Sequence, residues 1–272
     1  MDIKYFCSWW GLDNLGLEEM LRKIKEAGFD GVEIGIPNEK EKQEELNSLL
    51  AKYHLEVIAH QYQATGNFEQ YKETFHKSLE NAAKFNPLFI NSHTGKDFWN
   101  INQNIELIKI ADGVQDKFGI KILHETHRKH FLFSTLTAKK YFELLPELKI
   151  TADFSHWTCV SETMLEDQRE ILELGFARAE HIHARVGFEE GPQISDPRAK
   201  EWNKHLTTFT IWWQKIVDKF INEKKEYLTI TPEFGPVPYT WTIPHSNKPV
   251  SDFFEINCWM MEYLKQSLIL SK

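Results

Sequence analysis

The spacing of apolar residues along this chain switches between two periods from one end to the other. Short β-branched or apolar runs fit strands, and longer stretches with apolar residues three or four apart fit helices. Strands are expected over 3–9, 31–36, 55–60, 87–93, 120–125, 148–153, 180–184 and 227–232. Helical spacing covers 17–27, 40–53, 67–85, 101–119, 137–145 and 162–174, then Trp212, Trp213, Ile216, Val217 and Phe220, and last 253–268. Gly28 and Gly119 supply helix stops, and Pro146 follows the fifth helix. Eight strand–helix pairs in 272 residues match the roughly 250 of one closed barrel. An open doubly wound sheet also alternates, but eight units favour closure. The expected fold is α/β, a single (β/α)8 TIM barrel in one domain over 1–272, with its active site at the carboxyl ends of the strands. The longest irregular segments, 187–202 and 234–251, follow strands at that end, where functional loops sit.

Charge and cysteine usage narrow the class of function. The net charge is −8, from 40 acidic and 32 basic residues. No Lys/Arg cluster is long enough for a nucleic-acid surface. Cys7, Cys159 and Cys258 are odd in number and far apart, which suits a reducing compartment better than a disulfide framework. The start, Met1-Asp2-Ile3-Lys4-Tyr5-Phe6, has no signal-peptide pattern. No apolar run approaches the roughly 18 residues of a membrane span. The expectation is a soluble cytoplasmic protein with neither nucleic-acid nor membrane partner, and a homo-oligomer is compatible with it.

Four segments beyond residue 120 each end in a residue that can ligate a metal. They are Ile122-Leu123-His124-Glu125, Ile150-Thr151-Ala152-Asp153, His181-Ile182-His183 and Thr229-Ile230-Thr231-Pro232-Glu233. A carboxylate leaving an apolar strand enters the barrel mouth, where a bare charge is costly and a bound cation removes the cost. Two Glu, one Asp and one His make a mixed oxygen/nitrogen set suited to a divalent metal such as Mn, Mg, Co or Zn. His181 and His183 share a face, being two apart on a strand, and His183 is nearer the carboxyl end. Of twelve histidines, eight lie at or just after expected strand ends: His60, His93, His124, His127, His130, His156, His181 and His183. Capping of backbone groups explains one such histidine more readily than eight.

Taken together, these residues resemble the xylose-isomerase-like TIM-barrel superfamily of sugar isomerases and epimerases, which also includes inosose dehydratases and endonuclease IV. Ala27-Gly28-Phe29-Asp30-Gly31-Val32-Glu33-Ile34 is similar to its first helix and second strand, and the likeness spans essentially the whole chain. The resemblance implies that Glu125, Asp153, His183 and Glu233 hold a divalent metal, and that His156 contacts substrate. It also implies that Glu125 and Glu233 act on opposite faces of a sugar or polyol, one removing and one returning a proton next to a carbonyl. A metal holding that carbonyl stabilises the enediolate as it forms. The chain departs from the epimerases in two places. Phe131 stands six residues after Glu125, where they carry Glu, and Glu189 stands six after His183, where they carry Arg; Arg185 is present instead.

Trp9, Trp10, Trp99, Trp157, Tyr239 and Trp241 follow strands, and several rings around one mouth suit a sugar's C–H face. Trp9, His60, His93, His127, His156 and Arg185 are the expected substrate contacts. Arg128, Arg185 and Arg198 are candidates for a phosphate or carboxylate. The expected activity is metal-dependent isomerisation or epimerisation of a sugar or polyol derivative. Its alternatives are a dehydratase of a keto-inositol, an endonuclease IV-like phosphodiesterase, which needs further His and Asp ligands and a basic face, and a sugar-binding barrel without catalysis.

Overall fold

A computed structural model describes residues 1–270. Eight parallel strands close into a barrel in sequence order: β1 (Asp2–Ser8), β2 (Gly31–Ile34), β3 (Glu56–Gln61), β4 (Ile90–Ser92), β5 (Ile122–Glu125), β6 (Ile150–Ala152), β7 (Ala179–Ala184) and β8 (Tyr227–Pro232). Closure is made by β1 against β8, with Asp2 beside Tyr227 and Tyr5 beside Ile230. Around them run α1 (Leu17–Glu26), α2 (Lys40–Tyr53), α3 (Phe68–Lys84), α4 (Ile101–Phe118), α5 (Thr135–Leu144), α6 (Ser155–Ser161), α7 (Arg169–Arg178), α8 (Asn203–Asn222) and α9 (Phe253–Ser267). Asn67 with Gln70, and Asn100 with Gln103, form capping boxes that start α3 and α4.

The helix expected over 162–174 begins only at Arg169, as α7, and a separate short helix, α6, precedes the expected range directly after β6. Between them Glu162 and Leu165 have φ of 51° and 59°, which ends helical propagation. Met164 and Leu165 are buried in this turn, so their apolar signal mimics a helix face. The segment 234–251 also carries a short hairpin, β9 (Thr242–Ile243) with β10 (Lys248–Pro249).

Inside the barrel, Phe6, Ile58, Phe89 and Leu123 form an apolar floor. Gly31 makes room for it, since a Cβ there would lie 2.2 Å from the Phe6 ring and 2.5 Å from the Glu56 carbonyl. The outer shell packs helices against strands through residues such as Leu21, Phe75, Ile108, Trp213 and Met260, all buried. The floor closes the lower barrel, so polar side chains on the upper turns of the strands face one another above it.

Candidate metal centre and substrate pocket

The barrel strands deliver polar side chains to one buried layer above the floor. Glu33 comes from β2, Asn91 from β4, Glu125 from β5, His183 from β7 and Thr231 from β8; Asp153 and Glu233 follow β6 and β8 directly. Ligand-type atoms of Glu125, Asp153, His183 and Glu233 all lie within 4.8 Å of one another. His183 Nδ1 is 2.8 Å from Glu233 Oε2 and 3.6 Å from Glu125 Oε1. His183 Nε2 is 3.0 Å from each oxygen of Glu33.

Glu33 is held from several sides. Thr231 Oγ1 and Asn91 Nδ2 each donate to it at 2.8 Å, and Asn91 also donates to Glu125 Oε2 at 2.9 Å. His181 sits one layer lower, against Phe89, with Nδ1 2.7 Å from Thr229 Oγ1 and Nε2 3.4 Å from Glu33. Alternation therefore puts both histidines on the inner face, and height separates them.

Asp153 is anchored through its own turn and a guanidinium. Its backbone N–H donates to Thr126 Oγ1 at 2.8 Å, and its Oδ1 accepts from Ser155 N at 3.1 Å. Its Oδ2 receives Arg185 Nη2. Arg185 is itself buried, with Nη2 3.6 Å from Glu233 Oε2 and 2.8 Å from His156 Nε2.

Protonation follows from this crowding. Burial alone would raise the Glu125 carboxyl, but His93 and His183 outweigh it and hold Glu125 well below the usual carboxylate range. Glu33 is likewise lowered, against burial, by His183 and His181. Burial pushes Asp153 up to about 6, opposed by Arg185 and reinforced by Glu233 and Glu125. Burial disfavours a charged His183, yet Glu233, Glu33 and Glu125 raise its pKa well above the ordinary value. The layer thus attracts positive charge.

The residues fit a bound divalent ion. Four buried carboxylates, Glu33, Glu125, Asp153 and Glu233, face a single guanidinium, Arg185. His183 Nδ1 and Glu233 Oε2 are buried and close, yet neither has a hydrogen-bond partner. Two ligand-type atoms that converge without hydrogen-bond geometry are an arrangement that a shared cation would satisfy.

Above this layer opens a cavity of ≈ 310 Å³. Of the expected substrate contacts, Trp9, His60, His93, His127 and Arg185 line it, together with Glu125 and Glu233. His156 does not. It is fully buried behind Arg185, with its ring 3.9 Å from that of His127, so it positions other groups. Trp10, Tyr62 and Tyr239 complete the wall. Trp157 is core, donating Nε1–H to the Leu132 carbonyl at 2.9 Å, and Trp99 packs on Phe68 and Tyr71. His124 alternates to the outer face of β5 and meets Thr94 Oγ1 at 2.7 Å. Phe131, at the first departure, is buried against His124 and Tyr141. Glu189, at the second, pairs with His205 at 3.0 Å.

Glu33, Asn91 and Tyr62 are the site residues that sequence reasoning missed. One signal for Glu33 was present, a lone carboxylate in the buried apolar run Gly31-Val32-Glu33-Ile34. Asn91 and Tyr62 carry no comparable mark.

An eight-stranded barrel with acidic and imidazole side chains converging at the carboxyl rim defines a class that is broad in chemistry. Within it, the chain belongs to the xylose isomerase-like TIM barrel family, whose profile matches residues 21–203. No curated protein matches the sequence. Among solved structures, the chain is similar to 3-keto-D-glucoside 4-epimerase YcjR from E. coli, at 13% identity, TM-score 0.64, over 97% of this chain and 100% of that one. It is also similar to the probable 3-DHS dehydratase AsbF from Bacillus anthracis, at 16% identity and TM-score 0.61, over 96% and 98%. Endonuclease IV from Thermus thermophilus aligns over 98% of both chains at 13% identity and TM-score 0.56. Identities this low establish the fold and leave the reaction to the site. No described helix is long and apolar enough to cross a membrane.

Proposed function

We propose that this protein is a divalent-metal-dependent isomerase or epimerase of a sugar or polyol derivative, moving a proton on a carbon next to a carbonyl. The observation that carries this is that Glu125 and Glu233, from strands separated by two others, both belong to the buried cluster and both line the cavity. Binding alone needs no such pair of bases. Glu125, Asp153, His183 and Glu233 would hold the ion, with Mn, Mg, Co and Zn all suited to the donor set. Bound there, it supplies a Lewis acid that makes the proton next to the carbonyl more acidic.

The chain's own groups do the rest. One of Glu125 and Glu233 takes the proton and the other returns it. His93 Nε2, 3.1 Å from Glu125 Oε2, keeps that carboxylate oriented and ionised. His60, His93 and His127 present ring nitrogens to hydroxyls, and Trp9, Trp10, Tyr62 and Tyr239 shield the reacting carbon from water.

One observation favours a second reading. His60, His93 and Glu125 form another group with ligand atoms within 4.8 Å, sharing Glu125 with the first. Two such groups sharing a carboxylate would suit the pair of metal ions used in phosphoester hydrolysis. The net charge of −8 opposes a nucleic-acid substrate.

The test is metal analysis followed by turnover of ketoses and aldoses in D2O by the Mn-loaded protein. We expect one strongly held ion, and solvent deuterium on the carbon next to the carbonyl of an active sugar. Glu125→Gln and Glu233→Gln should each lower turnover by roughly 10²–10⁴. Full activity in both variants rules out the proton-transfer reading. Two ions per chain with phosphodiester cleavage would establish the hydrolytic one.

A further inference from the structure

A second chamber of ≈ 280 Å³ adjoins the inner cavity, and Tyr239 lines both. We infer that this outer chamber is a subsite for a second sugar ring, so that the substrate is a glycoside whose reacting ring lies inside and whose distal ring lies outside. The inference rests on the sugar reading above and narrows it to two-ring substrates.

Three features carry it. The first is preorganisation. The chamber lies between the loops after β7 and β8, and buried Gln193 ties them together. Its Oε1 accepts from Gly235 N at 2.7 Å and its Nε2 donates to Gly235 O at 3.2 Å. Ser251 Oγ adds a bond to Ser195 O at 2.8 Å. A chamber tied in this way needs little ordering when a ligand enters.

The second is an aromatic platform. Trp241 and Phe188 line the chamber with ring centroids 5.8 Å apart, and Trp202 backs both at 6.1 and 5.2 Å. Trp202 is held by Nε1–H donation to Ser195 Oγ at 2.9 Å. Trp241 is left 42% exposed. An exposed indole on a fixed backing suits the C–H face of a sugar ring.

The third is the polar complement. Arg128 lies with its guanidinium 5.0 Å from the Tyr239 ring centroid, and Glu190 is an exposed carboxylate of the same chamber. Arg128 forms no ion pair among the described residues, whereas Arg198 is paired with Asp196 at 2.7 Å and Arg185 with Asp153. One donor fork and one acceptor around an aromatic face match the vicinal hydroxyls of a neutral sugar. A phosphate or carboxylate would gain from Arg128 but meet the charge of Glu190.

The experiment compares glucose and galactose with maltose, cellobiose and lactose on the Mn-loaded full chain, by isothermal titration calorimetry and saturation-transfer NMR. At least one disaccharide should bind roughly tenfold more tightly than its monosaccharide, the size expected of one aromatic stack plus a hydrogen bond. Saturation should reach protons of both its rings. Trp241→Ala and Arg128→Ala should each remove most of that advantage, and Trp241→Ala should silence transfer to one ring. Monosaccharide binding with no disaccharide gain, or a gain that survives both substitutions, overturns the subsite and leaves the sugar reading standing. Binding of neither sugar class overturns both.

Discussion

His183 and Glu33 face each other edge to edge, with His183 Nε2 3.0 Å from both Glu33 oxygens, while the other ring nitrogen is turned to Glu233. With a metal bound, the carboxylate from β2 would keep the proton on Nε2 of the β7 imidazole and leave Nδ1 to the cluster. Carboxylate–histidine–metal arrangements work in this way, raising the basicity of the ligating nitrogen.

Glu33→Gln should therefore lower Mn affinity by roughly 10–100-fold, with the barrel still folded. Titration calorimetry measures the affinity, and ¹⁵N shifts of His183 report its tautomer. Unchanged affinity with unchanged shifts would show that Glu33 has no part in orienting the ring.

The two histidines of β7 should behave differently. His183→Ala removes an atom of the cluster and should abolish tight metal binding. His181→Ala leaves the cluster intact and opens a cavity against Phe89 and Thr229. It should cost mainly stability, roughly 1–3 kcal/mol, with most metal affinity kept. The reverse pattern would place the ligand one layer lower in the barrel.

Stability of the metal-free protein should decline on both sides of neutrality. Burial lowers His60 and His124 to about 4. Above the unfolded value near ~6.5 both states are neutral and their contribution is complete. As pH falls from there toward 4, the unfolded chain takes up protons that the fold excludes. By about pH 5 each costs about 2 kcal/mol. His183 has the opposite sign, because its folded pKa is raised. Its contribution is whole below ~6.5 and is lost as pH rises through the folded value. Melting temperatures by circular dichroism should trace this bell, and His124→Asn should flatten its acid limb.

Gly235 is a further point of leverage. A Cβ there would lie 2.1 and 2.2 Å from the Trp10 ring, which walls the cavity. Gly235→Ala should displace that indole, cost roughly 1–3 kcal/mol through overpacking and alter tryptophan emission. A variant with native melting temperature and emission would mean that the ring has room to yield.

The alternation of strands and helices was legible because each barrel strand is short, apolar and followed by an amphipathic helix, which imposes two distinct periods. The 162–174 region misled because Met164 and Leu165 are buried in a turn, and burial leaves the same apolar mark in a turn as in a helix. Glu125, Asp153, His183 and Glu233 could be singled out because a ligand-type residue at four successive strand ends is a local pattern that recurs.

By itself, the sequence determined the closed barrel and the rim where polar groups gather, since period and strand-end chemistry are written within a few residues of one another. Only the tertiary structure decided which of those groups meet. Glu33 reaches His183 across 150 positions, His156 is sealed behind Arg185, and Tyr239 lines two chambers. These relations depend on the height and facing of each side chain after eight strands have closed. A ring that brings residue 2 beside residue 227 creates neighbours that no local spacing encodes.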